Sequence, residues 1–378
     1  MNKLEISEIK KQFDIDRYTI DNICICYVGN EKEKKFRTKD AFGSLPEEEM
    51  HKYFKFFKKA LSGTVGKNLI NLEFPLAEEN GDKQGLLLDI RDSGLEDDDA
   101  LEKLYDRIIA NYDNGEKYCV IVMHAVYDIP GKGKDREIQE DASEDVYDFI
   151  LTLLSPVELR DGELGYDPEN NRIGELSREW VLHDPDKAFL FPAFNDRTAD
   201  IHSVLYYTKK SEELQPDLIN NMFGADAPLS AGDQKDTFNM LVSSVCRDEG
   251  DVEVMKNIHD SLSEMVEENK DDPDPLVIGK NEVKKILADS GVTEEKLRDF
   301  DRHYDDIAGD DAEIVVSNLQ GVKNFNISTP DIDIRVKPDF VDRIEARVVD
   351  GRQCIVIAVD DHVEVNGVNV RTLVPKGN

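Results

Sequence analysis

The amino-acid sequence predicts an α+β protein: a mixed or antiparallel sheet in the N-terminal region, a central helical segment, and antiparallel β hairpins toward the C-terminal end. Three observations carry this. Tyr118-Cys-Val-Ile-Val-Met-His-Ala-Val-Tyr127 is an apolar run that wants cover on both faces, the mark of a central strand. Met50, Tyr53, Phe54 and Phe57 recur at helical spacing and form one apolar stripe. Asp350-Gly351 and Asn366-Gly367 each separate β-rich segments, and these dipeptides favour two-residue hairpin turns.

In chain order, the charged N-terminal segment to Lys10 reads as a helix, Thr19 to Val28 as a strand turned by Gly29-Asn30, and the return strand runs near Phe36. Ser44, with Pro46 and Glu47 behind it, has capping-box spacing for a helix to about Leu61 that Gly63 closes. An extended piece follows from Leu69 to Phe74, then a helix from Asp97 to Tyr112. Beyond the central strand, the polar stretch from Pro130 to Glu144 reads as a long loop, Val146 to Leu159 as the second strand, and Phe189–Phe194 and Val204–Thr208 as further strands. Helices take over from Leu214: one ends at Gly224, one starts at Ser230, and a third runs from Val252 to about Glu268. Glu267 to Pro275 is the clearest linker, followed by helices from Asn281 to Ser290 and from Thr293 to Ile307. The predicted organisation is an α+β domain over 1–212, a helical segment over 213–270, a linker and small helical module over 271–310, and a β region over 311–378.

Composition bounds the function. With 378 residues and 39% hydrophobic content the chain can build two or three cores. No stretch approaches the roughly 20 apolar residues that span a bilayer, and the first residues lack an apolar signal core, so the expected location is cytoplasmic. Five scattered cysteines make no disulfide framework and fit a reducing compartment. Cys24 and Cys26 point to one face of a strand and read as buried, inert thiols. Acidic residues outnumber basic ones 81 to 47, a formal charge of -34 that repels phosphate backbones at long range.

A local basic face is still compatible with that charge. Lys32, Lys34, Lys35, Arg37 and Lys39, with Lys52, Lys55, Lys58 and Lys59 on the following helix, are the candidate nucleic-acid-binding residues; the plainer reading is a solvated hairpin tip and lysines complementing a helix macrodipole. The densest convergence of chemically capable side chains is Asn195, Asp196, Arg197, Asp200 and His202. Asp196, Asp200 and His202 have the chemistry for a divalent metal and Arg197 for an anion. The competing reading is a connection whose Asn and Asp cap turns while Arg and His make structural pairs. Other signals are weaker. His124 inside the apolar strand reads as a satisfied core residue. Asp360-Asp361-His362 point to alternating faces of an extended chain and read as an acidic turn. The stretch Ser62 to Asn68 fails as a phosphate loop, because Leu61 stands where a glycine is needed and Asn68 where Ser or Thr is needed. No cofactor signature is present.

Leu61-Ser-Gly-Thr-Val-Gly66, Leu88-Asp-Ile-Arg-Asp-Ser93, Tyr127-Asp-Ile-Pro-Gly131, Phe189 to Thr208 and Val349-Asp-Gly-Arg352 resemble a family of bacterial proteins defined as a domain of unknown function, over nearly the whole chain. That family supplies no catalytic residues. The layout is also similar to the bacterial nucleoid-associated protein family: a hydrophobic strand carrying His124, a second long strand, Phe223-Gly-Ala225 and Ala231-Gly-Asp-Gln234 before a helix, and a tail of the type Ile332-Asp-Ile-Arg-Val-Lys-Pro338. This resemblance implies a role in DNA transactions without enzymatic chemistry.

Two functions are therefore expected in order. The first is a non-catalytic, nucleoid-associated-like interaction protein that meets DNA, DNA-associated proteins or basic protein partners of its acidic surface. The alternative is a metal-dependent hydrolase centred on Asp196, Asp200 and His202. The exposed edges of the tail hairpins add an expectation of homodimerisation.

Overall fold

The computed structural model describes residues 1–79, 81–113, 115–132, 138–162, 164–167, 171–175, 178–246, 252–309, 312–319, 325–359 and 363–370. The chain forms two compact units, Met1–Gly232 and Asp233–Asn378. The fold is α+β, with an antiparallel sheet in the first unit and antiparallel hairpins in the second.

In the first unit the elements are α1 (Lys3–Lys10), β1 (Ile20–Val28), β2 (Lys34–Ala41), α2 (Glu47–Ala60), β3 (Leu69–Glu73), α3 (Asp82–Asp92), α4 (Asp98–Asn111), β4 (Tyr118–Lys132), β5 (Ile138–Arg160), β6 (Leu164–Asp167), β7 (Arg172–Glu175), β8 (Glu179–Leu182), β9 (Lys187–Phe191), β10 (Ala193–Asn195), β11 (Thr198–Asp200), β12 (Ser203–Thr208) and α5 (Pro216–Phe223). An eight-stranded sheet runs in the order β2-β1-β4-β5-β9-β12-β3, with β8 also paired to β5. Every ladder in it is antiparallel.

Side-chain alternation divides the core into two layers. Cys24, Cys26, Val120, Val122, Ile150 and Leu154 face α3, α4 and α5. Ile23, Ile121, Met123, Leu151 and Leu153 face α1 and α2. The central strands are thus covered on both sides, which is why β4 reads as an unbroken apolar run and not as an alternating one. Truncating a fully buried leucine there, such as Leu151 to alanine, removes about 2–5 kcal/mol.

Local expectations and structure part company at four places. Most of the predicted loop from Pro130 to Glu144 is paired strand, since Gly131↔Gln139 and Lys132↔Ile138 extend the β4–β5 ladder; residues 133–137 lie outside the described residues. Ser44 does not cap α2. Residues Phe42–Ser44 form a 3-10 turn that aims the Ser44 hydroxyl at the Ala41 carbonyl, 2.7 Å away, and Pro46 occupies the cap position. Helix α3 has no counterpart in the sequence reading because Gly81, at its cap, has no side chain to signal the start. Asp299, at φ -99° and ψ 7°, interrupts the helix expected from Thr293 to Ile307.

The second unit contains α6 (Ala231–Val245, starting at the junction), α7 (Val252–Glu268), β13 (Val277–Ile278), α8 (Lys280–Asp289), α9 (Glu294–Leu297), α10 (Phe300–Ile307), β14 (Ile314–Val315), β15 (Phe325–Ser328), β16 (Asp333–Val336), β17 (Ile344–Val349), β18 (Arg352–Ile357), β19 (Val363–Val365) and β20 (Val368–Val370). Leu241, Val283, Leu287, Phe300, Tyr304 and Ile314 anchor its helical core. Hairpins β17–β18 and β19–β20 turn at Asp350-Gly351 and Asn366-Gly367, where all four residues have positive φ, as a mirror-image two-residue turn requires. Asp360-Asp361-His362 lie outside the described residues. No described helix is long and apolar enough to cross a membrane.

Candidate functional site

The polar cluster of residues 195–202 is a hairpin bolted to α1. Strands β10 and β11 pair Asn195 with Thr198, leaving Asp196 and Arg197 as a two-residue turn with φ of 50° and 58°. Side chains in that region cost roughly 1–3 kcal/mol each and persist when their surroundings fix them. Here α1 fixes them. The Asp196 amide donates to Glu5 Oε1 at 2.7 Å, and Arg197 donates to Glu8 at 2.9 Å (Nη2) and 3.1 Å (Nε) and to the Pro130 carbonyl at 3.0 Å. Glu5 and Glu8, one helical turn apart, reach the same turn. Glu5 also closes the capping box of α1 with Asn2.

Asp200 is engaged within its own loop. Its Oδ2 accepts from Asn195 Nδ2 at 2.7 Å and its Oδ1 from the His202 backbone amide at 3.0 Å. Burial raises its carboxyl, but hydrogen bonds from Ser203, Asn195 and His202 outweigh that and hold it below the ordinary value. The hydrogen bond between Asp200 and His202 runs through the His202 backbone amide. Among the described residues no group of three or more His, Cys, Asp or Glu side chains is placed to hold a metal. The structure joins Arg197 to Glu8 and Asn195 to Asp200; it does not gather Asp196, Asp200 and His202 around a shared point.

Other reactive groups are also committed. Burial pushes Cys24 and Cys119 up to about 12 and Cys26 up to about 11, so these thiols stay protonated. His124 is 5% exposed, with Nε2 2.7 Å from Asp148 and Nδ1 3.3 Å from Asp21. Lys187 is wholly buried against Asp186, 2.7 Å away, which also accepts from the Tyr112 hydroxyl at 3.2 Å.

The sequence-predicted basic residues separate onto opposite faces of the sheet. On the α4 face, Lys34 lies 2.6 Å from both Glu102 and Asp106, Arg37 pairs with Glu102, and Lys39 lies 2.8 Å from Glu96. Lys35 pairs with Glu33, and Lys32 is exposed in the β1–β2 turn. Lys34, Lys35, Arg37 and Lys39 are thus each paired with a carboxylate. On the other face Lys52, Lys55, Lys58 and Lys59 ride on α2, whose apolar stripe of Met50, Phe54 and Phe57 turns them outward. Lys59 lies 3.6 Å from Asp184.

The α2 lysines have neighbours that sequence reasoning missed. Phe13, just after α1, packs on Phe57 of α2 with ring centroids 5.4 Å apart. That contact brings Lys10, Lys11 and Arg17 beside Lys58 around a cavity of about 460 Å³, which Ser7, Asp14 and Asp16 also line. Burial, then the adjacent Lys58 and Lys59 ammoniums, hold Lys10 below its ordinary value. Among the described residues, Lys10, Lys11, Arg17, Lys55 and Lys58 form no ion pair. Adjacent Lys10-Lys11 at the end of an amphipathic helix was the available signal, but the aromatic contact that brings it to α2 is tertiary.

Fold and site together define an α+β protein that carries, among the described residues, a basic cleft at α1–α2 whose lysines and arginine form no ion pair. The family model described as "Domain of unknown function (DUF4317)" matches residues 1–368, and the chain belongs to that family. No curated protein matches it.

Proposed function

We propose that this chain is a non-catalytic, nucleoid-associated-like interaction protein acting in DNA transactions, and that the α1–α2 cleft meets the phosphate backbone. The supporting observation is the contrast between its two basic sets: the β2 cations are paired with nearby carboxylates, while Lys10, Lys11, Arg17, Lys55 and Lys58 form no ion pair among the described residues. Burial first, and then the neighbouring Lys58 and Lys59 charges, disfavour the protonated Lys10, and an anionic partner offsets both. Phosphodiesters suit lysines as point charges without demanding base-specific geometry. The surrounding acidic surface limits contact to this face and is open to basic protein partners. The commitment of Asp200 and Arg197 to structural bonds favours this reading over hydrolysis at the 195–202 cluster.

The test is duplex DNA binding at low salt, followed by fluorescence anisotropy. Lys10→Glu with Lys58→Glu abolishes binding, whereas Lys34→Gln with Arg37→Gln leaves it unchanged. Absence of binding by the unaltered protein, or the reverse pattern in the variants, removes the proposal.

A further inference from the structure

A second groove lies on the other flank of α2, toward β8. Among the described residues β8 pairs with β5 alone, in the register Leu159↔Trp180 and Val157↔Leu182. The His183 amide donates to the Pro156 carbonyl at 2.9 Å and so sets the phase of the ladder. Backbone groups alternate in direction along a strand, so those of Glu179 and Val181 face β5 and those of Trp180 and Leu182 face outward. This outer edge borders a cavity of about 580 Å³ whose apolar wall includes Tyr53, Phe56, Trp180 and Leu182. Trp180 is 52% exposed and Leu159, beside it across the ladder, 42%.

Charge narrows the occupant. Glu48 and Glu49, in the first turn of α2, line the groove, with Lys52 the one cation among the described lining residues. The Trp180 ring already holds a cation, the Lys117 ammonium 3.3 Å from its centroid. Lys117 does not line the groove, so the indole presents another surface to it. A phosphate polymer meets the two glutamates unfavourably. A second copy brings two such acidic rims together on chains of formal charge -34.

We propose that the groove between α2 and β8 takes an extended segment of a partner protein, with basic and apolar residues taking turns at every second position so that both face α2, which adds a strand to the outer edge of β8. Outward N–H and C=O groups of Trp180 and Leu182 supply the ladder, the aromatic wall takes the apolar side chains, and Glu48 and Glu49 meet the basic ones. This interaction is separate from the α1–α2 cleft and does not depend on it.

Trp180 is the chain's single tryptophan, so its emission reports the groove directly. The probes are three synthetic octapeptides: one repeating Lys-Ser-Val-Ser, so that Lys and Val share a face, one with Glu in place of Lys (the Glu/Val peptide), and one of the Lys/Val pattern with proline at two alternate positions. The Lys/Val peptide shifts the Trp180 emission saturably to the blue. The proline peptide binds about tenfold more weakly, as loss of one or two backbone hydrogen bonds dictates. Glu48→Gln with Glu49→Gln, both on the surface, weakens the Lys/Val peptide and leaves the fold intact by circular dichroism. Equal binding of the Glu/Val peptide, indifference to proline, or no response to any peptide overturns the proposal. So does an emission shift with protein concentration alone, which assigns the groove to a second copy, or a shift with duplex DNA that Glu48→Gln and Glu49→Gln strengthen.

Discussion

Arg197 closes on Glu8 from the far side of the sequence, its Nη2 2.9 Å from Oε1 and its Nε 3.1 Å from Oε2, and the pair fastens α1 to the β10–β11 turn. The fork is partly shielded, with side-chain exposures of 15% and 26%. It ties one member of the 195–202 polar cluster to α1.

That relationship predicts coupling. Arg197→Ala and Glu8→Ala each destabilise the protein in urea unfolding, and the double variant loses less than the sum. The interaction energy of the cycle is about 0.5–3 kcal/mol. Strict additivity removes the role assigned to the pair.

The Asp200 network predicts a pH effect with a definite sign. A carboxyl held below its unfolded value contributes stability that is fully present above the unfolded pKa and is lost as pH falls through the folded one. For an aspartate that window opens below about pH 4. Asp200→Asn therefore lowers stability at neutral pH and flattens its decline below that point. A variant whose acid profile parallels the unaltered protein contradicts the network.

The cysteines predict a labelling pattern. Cys24, Cys26 and Cys119 are buried, whereas Cys246 and Cys354 are half-buried. Iodoacetamide at pH 8 modifies Cys246 and Cys354 in the folded protein and reaches the other three on unfolding, as mass spectrometry of the peptides resolves. Early modification of Cys24 or Cys26 contradicts their place in the core.

Much of the fold was legible because local signals and burial agree. The alternating layers of β4 and β5 follow from an apolar run long enough to be covered twice, and Asp350-Gly351 and Asn366-Gly367 fold as their turn preference dictates. Helix α3 was hidden, since a glycine cap leaves no local mark. The site was less legible than the fold. Lysines on β2 and α2 read as one basic run, yet a register shift between Phe36 and Lys34 brings Lys34 and Arg37 to the same face, toward the carboxylates of α4, while α2 covers the opposite face. Lys10 and Arg17 join the cleft through the Phe13–Phe57 contact, which no spacing in the chain announces.

The most direct test of the central claim is the salt dependence of duplex DNA binding. Four or five lysine and arginine contacts from the α1–α2 cleft predict a slope of log affinity against log salt of about -4, since each neutralised phosphate contributes about -0.9. Lys10→Glu with Lys58→Glu removes two of those contacts and the binding with them, so the salt-dependent signal disappears. A slope near zero in the unaltered protein, or one that the variant leaves unchanged, contradicts the assignment of this cleft to the phosphate backbone.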